Sequence, residues 1–262
     1  MARAASRPSS AAFVLHSHDW SESSLILDLF TRDQGRVVAV AKGAKRPYSQ
    51  LRPVLMPFQR LHVGFGVKRS DEAEVWLLRQ AEWAGGPAWP GGAALLPGFY
   101  LNELLMRLLA RHDPHPGLFD AYAQTLSALA DPSLLQAALR AFEMVLLRQL
   151  GHLPDLSQVT VDGQAVEPVQ RYEVHPELGV SRASQREDGS VLDGAVLRQL
   201  EAALSTEGEG GRTILVPAMP PLMAACIPAL SELKTVLRAL LQYHLGSHTL
   251  RTRQLMMELQ QA

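Results

Sequence analysis

Cysteine is almost absent from this chain of 262 residues, in which Cys226 is the single example. One cysteine cannot form a disulfide within the chain, and it cannot supply the four thiolates of a structural zinc site. Its neighbours, PLMAACIPAL, are apolar, which predicts a buried thiol that packs as a small hydrophobic side chain. The fold must therefore rest on a hydrophobic core, for which a content of 47% apolar residues is sufficient.

Long hydrophobic runs are also missing. No segment approaches the roughly 18 apolar residues that a membrane-spanning helix needs. The N-terminal stretch MARAASRPSSAAF lacks the apolar centre of a secretory signal. The sequence thus predicts a protein of the cytoplasm that has no membrane partner.

Catalytic signatures are absent as well. No glycine-rich segment has the spacing of a P-loop, and GVSRA at 179–183 falls one glycine short of a nucleophile elbow. The sequence contains two short histidine pairs, His16/His18 and His112/His115. Neither pair has a third ligand nearby in the sequence, so we interpret them as ordinary surface histidines and not as a metal site. We therefore expect a protein that is not an enzyme and that holds no metal or other cofactor.

The most informative absence is that of acidic residues from one basic segment, residues 35–70, which holds eight Lys or Arg. Residues 1–70 carry a net charge of +7, from eleven basic and four acidic residues, and the rest of the chain carries −8, from fourteen and twenty-two. Because a solvated surface normally mixes both signs, this segregation favours a polyanionic partner. The candidate binding residues are Arg36, Lys42, Lys45, Arg46, Arg52, Arg60, Lys68 and Arg69.

Aromatic residues are interleaved with these cations, at Tyr48, Phe58 and Phe65, and Trp76 follows. A cationic groove with aromatic faces is typical of single-stranded nucleic acid binding, because cations contact phosphates and rings stack on bases. Taken singly, each aromatic is favoured as a core residue of a small β domain. The cations as a group favour nucleic acid, most of all KGAKR at 42–46, where a glycine permits close approach of a phosphate backbone.

Five short runs rich in β-branched and aromatic residues predict strands within residues 12–83. Each run ends at turn-forming residues, and Asp33-Gln34-Gly35 predicts a hairpin between the second and third strands. Five strands without intervening helices favour a small closed barrel, and the oligonucleotide-binding (OB) fold has this size.

A glycine and proline cluster at residues 85–92 marks the predicted end of the barrel, and helical periodicity begins after it. Asp131-Pro132 predicts the start of one long helix and Gly151 its end, and Gly246 ends another. The predicted helices lie at 95–113, 117–130, 132–150, 194–204, 228–245 and 250–261. We predict a loop with short strands at 152–190 and a loop at 205–212.

Three motifs in this order resemble the RecO family of bacterial recombination mediators. They are SESSLILDLFT at 21–31, VAKGAK at 40–45 and YLNELL at 100–105. The resemblance covers almost the whole chain and implies an α+β protein, in which an OB-fold precedes a helical bundle that contains an inserted zinc ribbon. It divides the chain into an OB-fold DNA-binding domain (1–84), two parts of the bundle (91–151 and 191–262) and the ribbon-like insertion (152–190).

The resemblance also implies a non-enzymatic function in DNA repair. Members of the family bind single- and double-stranded DNA, anneal complementary strands, and help their partner RecR to load RecA onto DNA coated by single-stranded DNA-binding protein. An arginine of the helical part meets the acidic C-terminal tail of that coat protein, and the matching residue here is Arg140. A helix arginine paired with a nearby acid is an equally favoured interpretation of this position. The implied location is the cytoplasm, at the nucleoid.

The zinc ribbon of the family often has two C-x-x-C pairs, and this sequence has neither. The matching positions read VTVD at 159–162 and SRAS at 181–184. Because valine cannot bind zinc, the resemblance implies an insertion that keeps its chain path without the metal and is held by hydrophobic packing.

Two other functions stay open from the sequence. A cationic barrel does not by itself distinguish RNA from DNA, so an RNA-binding OB protein is one of them. The other is an assembly scaffold whose basic face docks an acidic protein partner. Exposed aromatic rings would favour a nucleic acid over an acidic protein, because a stacking face must be open to solvent.

Overall fold

The computed structural model describes residues 9–66, 75–86, 91–183, 191–207, 213–214, 218–246 and 249–261. Its contacts divide the chain into two compact units. The N-terminal unit ends at Ser127 and includes the end of the chain from Leu255, and the C-terminal unit is Ala128–Gln254. No helix within the described ranges is both long enough and apolar enough to span a membrane.

The N-terminal unit contains a closed five-stranded barrel. Its strands are β1 (Ser10–Asp19), β2 (Leu25–Thr31), β3 (Gly35–Ala41), β4 (Arg60–Phe65) and β5 (Val75–Trp83). They close in the order β1-β2-β3-β5-β4, and all pairs are antiparallel except β3 with β5. This arrangement confirms the predicted OB-fold. Alternate side chains of the strands, such as Leu27, Leu29, Val37 and Ala39, fill the interior.

The predicted hairpin at Asp33-Gln34-Gly35 is confirmed, because β2 and β3 pair directly from Thr31 to Gly35. Gly35 has a φ of +67°, which only glycine adopts without strain. A Cβ atom at this position would lie 2.0 Å from the carbonyl oxygen of Asp113. Glycine is therefore required here both by the turn and by the close approach of a second backbone.

Helices α1 (Leu95–Leu108) and α2 (Pro116–Ala128) follow the barrel, in agreement with the helical periodicity of the sequence. Their aromatic and amide side chains pack on β1. The Phe13 ring lies 5.0 Å from those of both Phe119 and Tyr122, and Asn102 donates a hydrogen bond to the Leu15 carbonyl at 2.9 Å. The Tyr122 hydroxyl donates to Asn102 Oδ1, and burial raises the pKa of Tyr122. Asn102 of the YLNELL motif thus joins α1 to the barrel.

The C-terminal unit is mainly helical. Its elements are α3 (Leu135–Gln149), β6 (Arg171–His175), β7 (Gly179–Arg182), β8 (Val191–Asp193), α4 (Gly194–Leu204), β9 (Thr206–Glu207), β10 (Thr213–Ile214), α5 (Met219–Cys226) and α6 (Leu230–Leu245). The strands form a sheet of order β7-β6-β8 and a separate β9–β10 pair. Helix α7 (Arg251–Gln261) closes the chain. The predicted helix ends at Gly151 and Gly246 are confirmed, and both glycines have a positive φ.

Three predicted elements need correction. Helix α3 begins at Leu135 instead of Pro132, because the Asp131 carboxylate accepts a hydrogen bond from the Ser133 amide at 2.8 Å and closes a turn. Helix α5 is absent from the prediction, because it is short and has two prolines, Pro220 and Pro221, in its first turn. The predicted loop at 205–212 contains β9, and its remaining residues 208–212 lie outside the described ranges.

The described part of the predicted ribbon-like insertion buries apolar side chains such as Val166, Tyr172 and Val174, and hydrogen bonds join two of its segments. The Thr160 amide donates to the Val180 carbonyl at 2.9 Å, and the Val180 amide donates back to the Thr160 hydroxyl at 2.8 Å. Asp162 forms an ion pair with Arg182 at 3.3 Å, and Val159 is buried. These residues do not fit a zinc ion, and the described residues contain no group of three or more His, Cys, Asp or Glu that could hold a metal.

Two histidines stack within the C-terminal unit and make its stability dependent on pH. The His152 and His244 rings lie 3.7 Å apart at an angle of 11°. Burial lowers the pKa of His244, and the neighbouring His152 lowers it further. The unfolded chain, with a histidine pKa near 6.5, therefore binds the proton before the folded chain does.

We predict that the contribution of His244 to the free energy of unfolding is constant well above pH 6.5. This contribution falls as the pH drops through that value, because the unfolded chain then binds a proton that the folded chain does not. Chemical denaturation at a series of pH values measures this. The variant His244→Phe keeps a ring for stacking and cannot titrate, so its stability should fall less steeply with acid. An identical pH dependence in both proteins would contradict the prediction.

Candidate nucleic-acid interface

One end of the barrel carries two neighbouring loops. Strands β1 and β3 end there and β2 and β4 begin there, so the β1–β2 loop (residues 20–24) and the β3–β4 loop (residues 42–59) lie side by side. Lys45 joins them, because its amide donates to the Ser23 carbonyl at 3.0 Å and its Nζ donates to the Ser21 carbonyl at 3.3 Å. The β3–β4 loop is termed the basic loop below.

The basic loop holds half of the eight candidate cations. Lys42, Arg46 and Arg52 are exposed, and within the described ranges none of them forms an ion pair. Lys45 is paired with Asp19 at 2.7 Å. The β1–β2 loop adds one further exposed acid, Glu22, so the uncompensated positive charge lies on the basic loop itself.

Successive tight turns order the basic loop. The Arg46 amide donates to the Gly43 carbonyl at 3.2 Å, the Ser49 amide to the Arg46 carbonyl at 3.0 Å, and the Arg52 amide to the Ser49 carbonyl at 3.3 Å. Further along, Leu51 packs against the barrel core. The cations therefore project from an ordered backbone, which reduces the conformational entropy lost when a ligand binds.

Arg36 lies apart from the basic loop and has a structural environment. Its guanidinium donates to the carbonyls of Met106 and of Leu109, the latter at 3.2 Å, and it forms an ion pair with Asp28 at 3.5 Å. Burial lowers the pKa of Arg36, and the Asp28 carboxylate opposes that effect. These contacts join β3 to the end of α1, so the geometry favours a structural role over phosphate binding.

The remaining three candidate cations also lie outside the basic loop. Arg60 begins β4, is half-buried, and lies over the Phe119 ring, with Cζ 6.0 Å from the ring centroid. Such a cation–π contact holds the side chain against α2. Lys68 and Arg69 fall outside the described residues. The structure thus brings four of the eight candidates, Lys42, Lys45, Arg46 and Arg52, together on one loop.

The aromatic candidates divide sharply by exposure. Tyr48 of the basic loop is 95% exposed, whereas Phe58, Phe65 and Trp76 are buried. The Phe65 and Trp76 rings meet edge to face at 4.8 Å within the barrel core. Sequence reasoning missed Trp20 of the β1–β2 loop, which is 65% exposed. The sequence does contain a signal for this exposed ring. Trp20 lies within the polar stretch HDWSESS, which follows a strand and contains no other large apolar residue, so its ring is not expected in the core.

Arg140, the predicted receiver of an acidic tail, lies on α3 and is buried. Its Nη2 atom donates to Glu143 Oε1 at 2.7 Å, one turn along the helix. The Cys226 thiol is buried nearby, which confirms the predicted buried thiol, and burial raises its pKa to about 12. The tail-binding role of Arg140 stays a prediction, and its contacts are those of a structural ion pair.

Two family models cover most of the chain. Residues 6–86 match the family described as Recombination protein O N terminal, and residues 92–254 match Recombination protein O C terminal. The models meet at the glycine and proline cluster, whereas the contacts divide the chain after Ser127 because α1 packs on β1. The predicted domain bounds therefore stay a prediction.

Full-length relatives agree with these models. The DNA repair protein RecO of Polaromonas sp. strain JS666 is 51% identical over 251 residues, which cover 95% of each chain. The protein of the same name from Polaromonas naphthalenivorans strain CJ2 has the same identity and coverage, and that of Albidiferax ferrireducens is 48% identical over 95% of this chain and 94% of its own. By both kinds of similarity, over nearly its whole length, the chain belongs to the RecO family of DNA repair proteins.

Proposed function

We propose that this protein is a non-enzymatic DNA repair and recombination mediator that binds single- and double-stranded DNA through the basic loop. The observation that carries the proposal is the placement of Lys42, Arg46 and Arg52 on one ordered loop, exposed and without acidic partners in the described ranges. Phosphates are the same in every sequence, so such a loop binds DNA without sequence preference. Membership of the family supports the same function.

Strand annealing follows from the same charges. Two complementary strands repel each other through their phosphates, and a cationic surface that contacts both reduces this repulsion as they approach. Counterions released from the strands provide the driving force for the contact. Because pairing itself supplies the sequence recognition, the protein needs no base-specific hydrogen bonds.

The proposed partners are those of the family. They are RecR, the C-terminal tail of single-stranded DNA-binding protein and, indirectly, RecA, with the protein acting in the cytoplasm on DNA coated by the single-stranded DNA-binding protein. The exposed rings of Trp20 and Tyr48 favour a nucleic acid as the ligand of the loops over the alternative of an acidic protein surface.

Strand annealing as a function of salt tests this function. We expect the protein to accelerate pairing of complementary oligonucleotides at about 50 mM salt and to lose this effect as salt rises. Three phosphate contacts predict a slope of about −2 for the logarithm of single-strand affinity against the logarithm of salt concentration. Competition with a matched RNA oligonucleotide distinguishes DNA from RNA as the ligand. A protein that neither binds nor anneals DNA at low salt would overturn the proposal.

A further inference from the structure

We infer that the basic loop forms a pocket for one unstacked nucleobase of single-stranded DNA, in which the Tyr48 ring stacks on the base. The inference rests on the proposed function and adds to it a preference for unpaired strands. Cations alone do not distinguish a single strand from a duplex, because both present phosphates. A stacking site does distinguish them, because the bases of a duplex are already stacked and paired.

The exposure of Tyr48 is the first observation. Its side chain is 95% exposed although the loop beneath it is ordered by the turns at Gly43, Arg46 and Ser49. Burial of an aromatic ring normally stabilises the folded protein. A ring that an ordered loop holds in water gives up this contribution, which favours a role in contact with a ligand. Pro47 precedes it and fixes its own φ, which further restricts the backbone that presents the ring.

A cavity beside the ring is the second observation. Its volume is about 550 Å³, and its wall includes Pro47, Tyr48, Arg52, Pro53 and Met56. The cavity is open to solvent on one side, so it could receive one flat face of a base and leave the other face in water. The wall combines the tyrosine ring and apolar side chains with the Arg52 guanidinium and the polar residues Ser49 and Gln50. A planar base with an attached phosphate matches both parts of this wall.

The charges select the class of ligand. Arg46 and Arg52 lie on either side of Tyr48 in the chain, and within the described ranges neither forms an ion pair. A planar ring bracketed by cations suits a base whose neighbouring phosphates reach both arginines. An acidic peptide would satisfy the arginines and leave the tyrosine face unused. The arrangement therefore favours a nucleotide chain with at least one base turned out of its stack.

The variant Tyr48→Leu tests the pocket. We expect it to lower affinity for an oligothymidine strand about 5- to 140-fold, the value of one base–aromatic stack of about 1–3 kcal/mol. Affinity for a duplex of the same length should stay unchanged. Tyr48→Phe should retain wild-type affinity for the single strand, because the ring stacks and the hydroxyl does not. Tyr243→Leu, which removes an exposed tyrosine from α6, is the matched control and should change neither affinity.

An abasic strand of the same length isolates the base. Wild-type protein should bind oligothymidine more tightly than the abasic strand, and Tyr48→Leu should lose most of this difference. An equal loss on oligothymidine, duplex and abasic strands would overturn the pocket, since the ring would then act only on the loop. So would unchanged affinity for all three.

Failure of the pocket is distinguishable from failure of the proposed function. If Tyr48→Leu has no effect while charge reversal at Lys42 and Arg46 weakens single strands and duplexes alike, the pocket is wrong and the DNA-binding function stands. If the wild-type protein binds none of the three probes, both are wrong. Thermal unfolding of each variant verifies that the fold is intact.

Discussion

The triple variant Lys42→Glu, Arg46→Glu and Arg52→Glu is expected to bind single-stranded DNA at least about 100-fold more weakly than the wild type at about 0.1 M salt. Each phosphate contact with a single strand releases about 0.7 counterion. The loss of one contact therefore lowers the affinity about fivefold at that salt concentration. The three exposed side chains together account for the factor of 100, and the introduced carboxylates add repulsion.

The salt dependence is the more specific part of this result. The slope of log affinity against log salt should become shallower by about 2, because the three lost phosphate contacts would together displace about two counterions. Fluorescence anisotropy of a labelled oligonucleotide over a series of salt concentrations measures both quantities. Strand annealing should fall in parallel, since it depends on the same contacts.

A matched control separates local contacts from net charge. Arg198→Glu, Lys234→Glu and Arg238→Glu together change the net charge by the same amount, at exposed positions on α4 and α6. This second triple variant should retain most of the affinity, because its three positions lie outside the basic loop and make none of the proposed phosphate contacts. Equal losses in the two triple variants, or none in the first, would place the DNA contact elsewhere.

Arg140→Ala is expected to lower the free energy of unfolding by about 3–5 kcal/mol. The substitution leaves the Glu143 side chain, which is 0% exposed, without the guanidinium that it contacts at 2.7 Å. Removal of one partner of a buried ion pair is far more costly than replacement of both partners by apolar side chains. Chemical denaturation of the variant and the wild type at pH 7 measures the difference.

Removal of both charges is the control for this result. The double variant Arg140→Met and Glu143→Leu has apolar side chains of similar volume at both positions, and it should unfold within about 1–2 kcal/mol of the wild type. A double variant as unstable as Arg140→Ala would show that packing, and not the broken ion pair, causes the loss.

The same double variant decides the tail-binding role of Arg140. Loss of tail binding in Arg140→Ala alone would be ambiguous, because an unfolded unit also binds nothing. If the folded double variant binds an acidic tail peptide as tightly as the wild type in calorimetry, Arg140 has no part in that contact. Loss of binding with the fold intact would support the prediction made from the family resemblance.

Features with a local cause could be predicted from the sequence. The runs that form β1 to β5 show their β-branched and aromatic residues directly, and Gly35 signals a turn because only glycine adopts its φ freely. Helix ends at Gly151 and Gly246 have the same origin. The start of α3 was misplaced because Asp131-Pro132 is compatible both with a helix cap and with a turn, and the Ser133 contact selects the turn.

The sequence by itself determined the barrel, the helices that follow it and the segregation of positive charge, because strand alternation, helical period and composition are properties of neighbouring residues. Only the tertiary structure decided which cations are exposed to solvent. Arg36 and Arg46 are the same type of residue in the same basic segment of the sequence. Arg36 nevertheless donates to the Met106 carbonyl, 70 positions away in α1, whereas Arg46 is exposed on the basic loop. Exposure depends on contacts between distant segments, and these form only when the barrel closes and the helices pack on it.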